Sequence, residues 1–162
     1  MKLNELPIET RFQLSVFQSF TTNILGVDLK KLSKQIRDNL DPLEGHLTGR
    51  LNSRGNYNHR YFKDNCPYIS VAALKLKNSG VSSSEFGSLT IREHAKPLAV
   101  MIQECEGLGG QHLLDYLEHS LRSVVITVEE DKIIGKEFKS TTPDSSNIFA
   151  RYDQYGIKIV QK

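Results

Sequence analysis

The stretch of residues 88–97, SLTIREHAKP, joins two predicted elements of different type. We expect residues 88–92 to form a short β-strand whose end presents Glu93 and His94. Proline is tolerated in the first turn of a helix because the N–H that it lacks has no partner there, so a helix is predicted over residues 98–105. A carboxylate and an imidazole therefore stand side by side between a strand and a helix.

Signals on either side of this stretch predict an α+β fold that is predominantly helical, with a small β-sheet. Residues 123–128, SVVITV, are rich in β-branched side chains and form the clearest strand. The regions near 88–92 and 157–160 are expected to complete the sheet. Helices are predicted over residues 8–25, from the N-cap Asp28 to a stop at Pro42, and over residues 69–78, 98–105 and 111–121.

The predicted helices carry apolar faces at helical spacing, which is typical of helices that pack on a core. A helix that docks in the groove of a partner would show the same pattern, so that use stays open. The faces consist of Ile8, Phe12, Val16, Phe20 and Ile24 in the first helix, widened by Phe17 and Leu25, of Leu29, Leu32, Ile36 and Leu40 in the second, and of Leu113, Leu114, Leu117 and Leu121 in the last.

Composition indicates one ordinary globular domain over residues 1–162, with a helical part, 1–45, and a site-bearing part, 46–162. The 162 residues, 38% of them hydrophobic and 25% charged, suffice for a core without disulfides or metals. Cys66 and Cys105 lie far apart, which excludes a cysteine-based zinc finger of the usual spacing. No apolar run reaches the ~18 residues that a membrane helix needs, so we expect a cytoplasmic protein with no membrane partner.

Residues 49–63, GRLNSRGNYNHRYFK, form a basic segment that contains no acidic residue. Cations neutralise phosphates and aromatic rings stack on bases, so their interleaving favours a nucleic-acid partner. Asparagine and glycine predict a loop or hairpin here rather than a helix. A solvated loop with its aromatic rings in the core is the alternative. The candidate nucleic-acid-binding residues are Arg50, Arg54, Arg60, Lys63, Tyr57 and Tyr61.

A metal-dependent phosphodiesterase needs a base for water, oxygen or nitrogen ligands for a divalent ion, and cations that hold the phosphate. His94 is the candidate base and Glu93 the candidate ligand. Glu130 and Asp131 are candidates to complete a Mg²⁺ or Mn²⁺ site, since Mg²⁺ prefers carboxylates and water. Thr127 and Glu130 also have the spacing of a capping box, in which case these acids form the first turn of a helix.

The Glu93-His94-x-x-Pro97 block resembles the first block of HNH (His-Me finger) nucleases. This resemblance implies His94 as the general base and Glu93 as a metal ligand. The chain differs from that family at Ala95, where an isoleucine or valine is usual, and the family's downstream pair of asparagine and histidine is not matched. A looser resemblance, over residues 68–157, is to uncharacterised bacterial and phage proteins with the same block.

Two classes of function therefore stay open. The first is a metal-dependent nucleic-acid hydrolase, an HNH-like endonuclease that uses His94 and Glu93. The second is a non-enzymatic bacterial or phage accessory protein that binds nucleic acid or a protein partner, such as an immunity or antitoxin-like module. In that case Glu93-His94 is a helix start rather than a catalytic pair.

Overall fold

The fold is α+β and predominantly helical, with a small mixed sheet, as the sequence predicts. A computed structural model describes residues 1–22, 33–135 and 137–162. A short 3₁₀ turn, Leu3–Glu5, precedes the first helix. The helices are α1 (Ile8–Thr21), α2 (Ser33–Leu47), α3 (His59–Asp64), α4 (Val71–Asn78), α5 (Ser83–Leu89), α6 (Leu98–Glu104), α7 (Gly110–Ser120), α8 (Val128–Ile134) and α9 (Ala150–Asp153), and the strands are β1 (Tyr68–Ser70), β2 (Thr90–His94), β3 (Ser123–Thr127) and β4 (Ile159–Gln161).

The chain divides into two compact units, each assembled from two separate stretches of sequence. The helical unit comprises Met1–Asp64 and Met101–Leu121, and the sheet unit comprises Asn65–Val100 and Arg122–Lys162. The division falls inside α6, so this helix contributes residues to both units. In the described ranges, no helix has the length and apolar character needed to cross a bilayer.

The sheet unit has the strand order β2-β3-β1-β4. β3 pairs in parallel with β1, whereas β2–β3 and β1–β4 are antiparallel. Val124, Val125 and Ile126 are fully buried, as expected for β-branched residues in a central strand. Strands form in all three predicted regions, although residues 88 and 89 belong to α5 and β2 begins only at Thr90. β1 was not predicted, because Ile69 and Ser70 run directly into α4 and were assigned to the beginning of that helix.

The prediction that Ile8 and Phe12 belong to the core face of α1 is wrong. Both side chains are 68% exposed, and the buried residues of this helix are Thr10, Leu14, Phe17 and Thr21. Phe17 is fully buried as predicted, whereas Thr10, Leu14 and Thr21 extend the buried face to the side away from Ile8 and Phe12. Packing against the rest of the protein determines which face of a helix is buried. Exposed apolar side chains such as these are common, because polar groups alone cannot cover the surface of a folded protein. Ile24 lies outside the described residues.

The prediction that Pro42 ends the second helix is also wrong, since α2 continues through it to Leu47. Proline inside a helix removes one hydrogen bond. Leu43, the residue directly after Pro42, is fully buried, and its burial favours continuation of the helix. α2 ends instead near Gly49, whose φ of 67° suits glycine. Ile36 and Leu40 are fully buried as predicted. The predicted N-cap Asp28, with Leu29 and Leu32, lies outside the described residues.

Most later helices follow the sequence signals. The helix after Pro97 is α6, and the predicted inward-facing residues Leu113, Leu114, Leu117 and Leu121 are all fully buried around α7. One correction concerns Ser82, where no helix was predicted to begin. Ser82 is instead the N-cap of α5, because its side chain accepts a hydrogen bond from the Glu85 N–H.

Candidate functional site

The Glu93-His94 pair lies at the end of β2, where the sequence placed it. Glu93 is paired with Val124 and His94 with Ser123 on the antiparallel neighbour β3. Consecutive residues of a strand direct their side chains to opposite faces of the sheet. Glu93 and His94 therefore present their functional groups on different sides of β2, and only Glu93 belongs to the cluster described next.

The Glu93 carboxylate is held by two residues of α9. Arg151 Nη2 lies 3.0 Å from Glu93 Oε2, and the Tyr152 hydroxyl donates to Glu93 Oε1 at 2.9 Å. Arg151 Nη2 also donates to the Tyr152 oxygen at 2.9 Å. The three side chains form a closed triangle, in which the guanidinium satisfies both the carboxylate and the phenol. We call it the Glu93 triad.

Arg151 also ties this triad to the surrounding backbone. Its Nη2 donates to the His94 carbonyl at 2.5 Å and its Nη1 to the Phe138 carbonyl at 3.3 Å. The side chain is only 3% exposed, and its Cζ lies 4.9 Å from the centroid of the Tyr152 ring. A buried arginine with these partners links α9 to the end of β2 and to the segment around Phe138.

Burial dominates the protonation of the triad. It raises the pKa of Glu93 above its ordinary value of 4.5, because its effect exceeds the lowering by Arg151 and by the Tyr152 hydroxyl. The Asp131 carboxylate raises the same pKa further, so a second negative charge lies close by. Burial, together with the Glu93 charge, also raises the pKa of Tyr152 well above 10. At neutral pH the tyrosine is therefore a hydrogen-bond donor.

The other two predicted metal ligands already accept contacts from neighbouring protein groups. Glu130 Oε2 accepts from Ser70 Oγ at 2.5 Å and from the Thr127 N–H at 2.8 Å, which confirms the predicted capping box of α8. Asp131 Oδ2 lies 3.4 Å from Lys139 Nζ. Within the described ranges, no set of three or more His, Cys, Asp and Glu side chains is placed to hold a metal ion.

The first part of the basic segment is a turn built by Asn52. Its side-chain Oδ1 accepts from the backbone N–H groups of Arg54 and Asn56, at 2.9 and 3.0 Å. The Asn52 N–H donates to the Asn56 carbonyl, and Gly55, at a φ of 73°, donates to the Asn52 carbonyl. Asparagine and glycine favour such turns for these reasons. The turn holds the backbone of Arg54 while its side chain is exposed.

The second part of the basic segment is helical, which corrects the prediction of a loop or hairpin throughout. Asn58 supplies an N-cap for α3, since its Oδ1 accepts from the Tyr61 N–H at 2.9 Å. Arg60 is exposed and Tyr61 is 41% exposed on this helix. Lys63 and Arg50 are half-buried.

Tyr57 stands apart from the other predicted nucleic-acid-binding residues. Its ring is half-buried, and its hydroxyl donates to Asp41 Oδ2 on α2 at 3.2 Å. Arg54, Arg60 and Tyr61 are therefore exposed along one continuous segment, whereas Tyr57 attaches that segment to α2.

Arg151 and Tyr152 were missed as partners of Glu93. A buried arginine needs an acceptor, but nothing in the sequence around α9 indicates that this acceptor is a glutamate on a distant strand. No family model, curated protein or solved structure matches this chain.

Proposed function

We propose that this protein binds nucleic acid through the basic segment, as a binding protein rather than an enzyme. The observation that carries the proposal is the exposure of Arg54 and Arg60 on a segment that contains no acidic residue. Arginine pairs with phosphate oxygens through a planar fork of donors, and the absence of acids within the segment itself favours a positive local field there.

Pre-organisation of the segment supports the proposal. The Asn52 turn and the Asn58 cap fix the backbone on both sides of the exposed arginines. A segment that is ordered before binding loses less conformational freedom when it engages a ligand. Tyr61, beside Arg60 on α3, offers an exposed ring on which an unpaired base can stack.

We expect the double variant Arg54→Ala/Arg60→Ala to weaken binding to a fluorescein-labelled oligonucleotide and to flatten its salt dependence. The plot of log K against log salt loses about 0.7 to 0.9 of slope for each phosphate contact removed, so its slope should fall by about 1.5. Fluorescence anisotropy titrations between low and moderate salt measure both quantities.

The matched control is Lys75→Ala/Lys158→Ala, which removes two exposed positive charges from the sheet unit. It should leave the salt slope within error of that of the parent protein. Equal losses in the two double variants would mean that net charge alone drives binding, and the assignment to the basic segment would then be wrong. Absence of measurable binding to any oligonucleotide would overturn the proposed function itself.

A metal-dependent hydrolase is the second candidate, favoured by one observation on the sheet unit. The Glu93 carboxyl has a raised pKa to which nearby Asp131 contributes, and a divalent cation would relieve the repulsion between two such carboxylates. The cation would have to compete with Arg151, which already neutralises Glu93. This candidate retains His94 as the base, but the His94 side chain lies on the face of β2 opposite to Glu93, which counts against it.

The hydrolase is tested by plasmid nicking with and without Mg²⁺ or Mn²⁺. It predicts metal-dependent nicking that disappears in His94→Ala and persists in the control His112→Ala, whose histidine is exposed on α7. Nicking that is unaffected by His94→Ala would identify a contaminating nuclease. No nicking under any condition would leave the binding function as the sole candidate.

A further inference from the structure

A pocket of about 560 Å³ adjoins the basic segment within the helical unit. We propose that it receives one unpaired nucleobase that carries an exocyclic amino group, as cytosine and adenine do. The protein is then a binder of single-stranded nucleic acid. This inference rests on the proposed nucleic-acid-binding function and names its ligand class.

The walls of the pocket suit a flat, largely apolar ring. Pro7, Pro42 and Leu51 supply apolar surface, and Tyr57 supplies an aromatic ring. The hydrogen bond from Tyr57 to Asp41 holds that ring in place before any ligand arrives. The volume lies in the range of roughly 300 to 1,000 Å³ that is usual for small-molecule sites. One face of a nucleobase can stack on the Tyr57 ring while the other contacts the apolar wall.

Two acceptors on α1 favour a ligand that donates hydrogen bonds. Glu9 lines the pocket with an exposed carboxylate, and Gln13 lines it one helical turn further on. Gln13 Oε1 is buried and has no hydrogen-bond donor within the described ranges. A buried acceptor without a donor is unfavourable, so rotation of this amide towards a donor in the pocket is favourable.

His46 and Asn56 also line the pocket and can donate to a base carbonyl, so the charged acceptor Glu9 decides the choice among bases. The amino groups of cytosine and adenine donate, and carboxylate and amide side chains are their usual partners. Thymine and uracil present a carbonyl oxygen at the corresponding position, which would face the Glu9 carboxylate without a hydrogen bond. The pocket should therefore discriminate against thymine and uracil.

Charge orients the ligand as well. The Glu9 carboxylate repels phosphate, so the sugar–phosphate backbone is kept out of the pocket. The same turn that contributes Gly55 and Asn56 to the wall carries the exposed Arg54, which can hold a phosphate outside. With the base inside and the phosphate outside, a base-paired duplex cannot bind in the same way unless it extrudes a nucleotide, which is unfavourable.

The test compares labelled oligo-dC and oligo-dT of equal length, at slightly alkaline pH, by fluorescence anisotropy on the full chain. We expect oligo-dC to bind about tenfold more tightly, the lower part of the discrimination that a good base contact gives. Glu9→Ala and Gln13→Ala should each reduce the ratio of the two affinities towards one. Arg54→Ala should weaken binding of both oligonucleotides by the same factor and leave their ratio unchanged.

The outcomes separate this inference from the function on which it rests. Suppose that oligo-dC, oligo-dT and duplex DNA bind with equal affinity and that Arg54→Ala still weakens this binding. This result would overturn the base pocket and leave the proposed binding function standing. No binding to any of the three would overturn both. Glu9 is exposed on α1, so Glu9→Ala keeps the test decisive if Gln13→Ala fails to fold.

Discussion

Replacing Arg151 with alanine is expected to lower the free energy of unfolding by about 3–5 kcal/mol, the usual cost of removing one partner of a buried ion pair. The substitution leaves the half-buried Glu93 carboxylate, which is 19% exposed, without its guanidinium. It also removes the donors to the His94 and Phe138 carbonyls. Urea unfolding followed by far-UV circular dichroism measures the change.

The double variant Arg151→Ala/Glu93→Gln is the control for this interpretation. The double variant removes the negative charge of Glu93 together with the positive charge of Arg151. We therefore expect it to recover part of the stability that Arg151→Ala loses. A double variant no more stable than Arg151→Ala would assign the loss to packing and backbone contacts, and the ion pair would then not be the stabilising element.

The pH dependence of the Arg151→Ala variant follows from the raised pKa of Glu93. Loss of the guanidinium removes the largest influence that lowers this pKa, so the folded variant holds its proton to higher pH. The unfolded chain releases that proton near the ordinary value of 4.5. Between these two pKa values the folded state binds more protons, and stability therefore falls as pH rises. The defect of the variant should be smallest below pH 4.5 and largest near neutrality.

The second large effect is expected from Leu117→Ala in α7, which should cost about 2–5 kcal/mol. Leu117 is fully buried, and its neighbours on the same face, Leu113, Leu114 and Leu121, are fully buried as well. Truncation leaves a cavity whose lining loses its contacts. The midpoint of urea unfolding should fall while the slope stays constant.

Leu89→Ala is the matched control, because Leu89 is the same residue type at 42% exposure at the end of α5. It should change the free energy of unfolding by no more than about 0.5 kcal/mol. Comparable losses in both variants would show that residue type, rather than burial, determines the effect, and the assignment of α7 to the core would be wrong.

Local signals in the sequence were sufficient wherever neighbours along the chain determine the structure. Thr127 and Glu130 form their capping box because both partners lie within one turn, and Pro97 precedes a helix for reasons internal to that turn. The leucines of α7 repeat at helical spacing and polar residues occupy most of the other positions, so a single face was available for burial.

Prediction was wrong where distant partners decide. In α1, Thr10 is fully buried whereas Ile8 is 68% exposed. The packing of the rest of the protein on this helix, rather than the hydrophobicity of its own residues, determines which face is buried. The Glu93 triad depends on the approach of α9 to the end of β2, which no spacing in the sequence encodes. The predicted chemistry of Glu93 was likewise a local inference, made from its neighbour His94 and without Arg151.

The order in which the chain is synthesised bears on the two interleaved units. Residues 1–64 leave the ribosome long before α7, so the helical unit completes its core only after Leu121 has emerged. Pairing of β2 with β3 is delayed in the same way, because residues 95–122 lie between these two neighbouring strands in the sequence. Contacts between residues far apart in sequence slow folding. The nascent chain therefore exposes an unpaired β2 edge until β3 is translated, a period in which a chaperone would find a binding site.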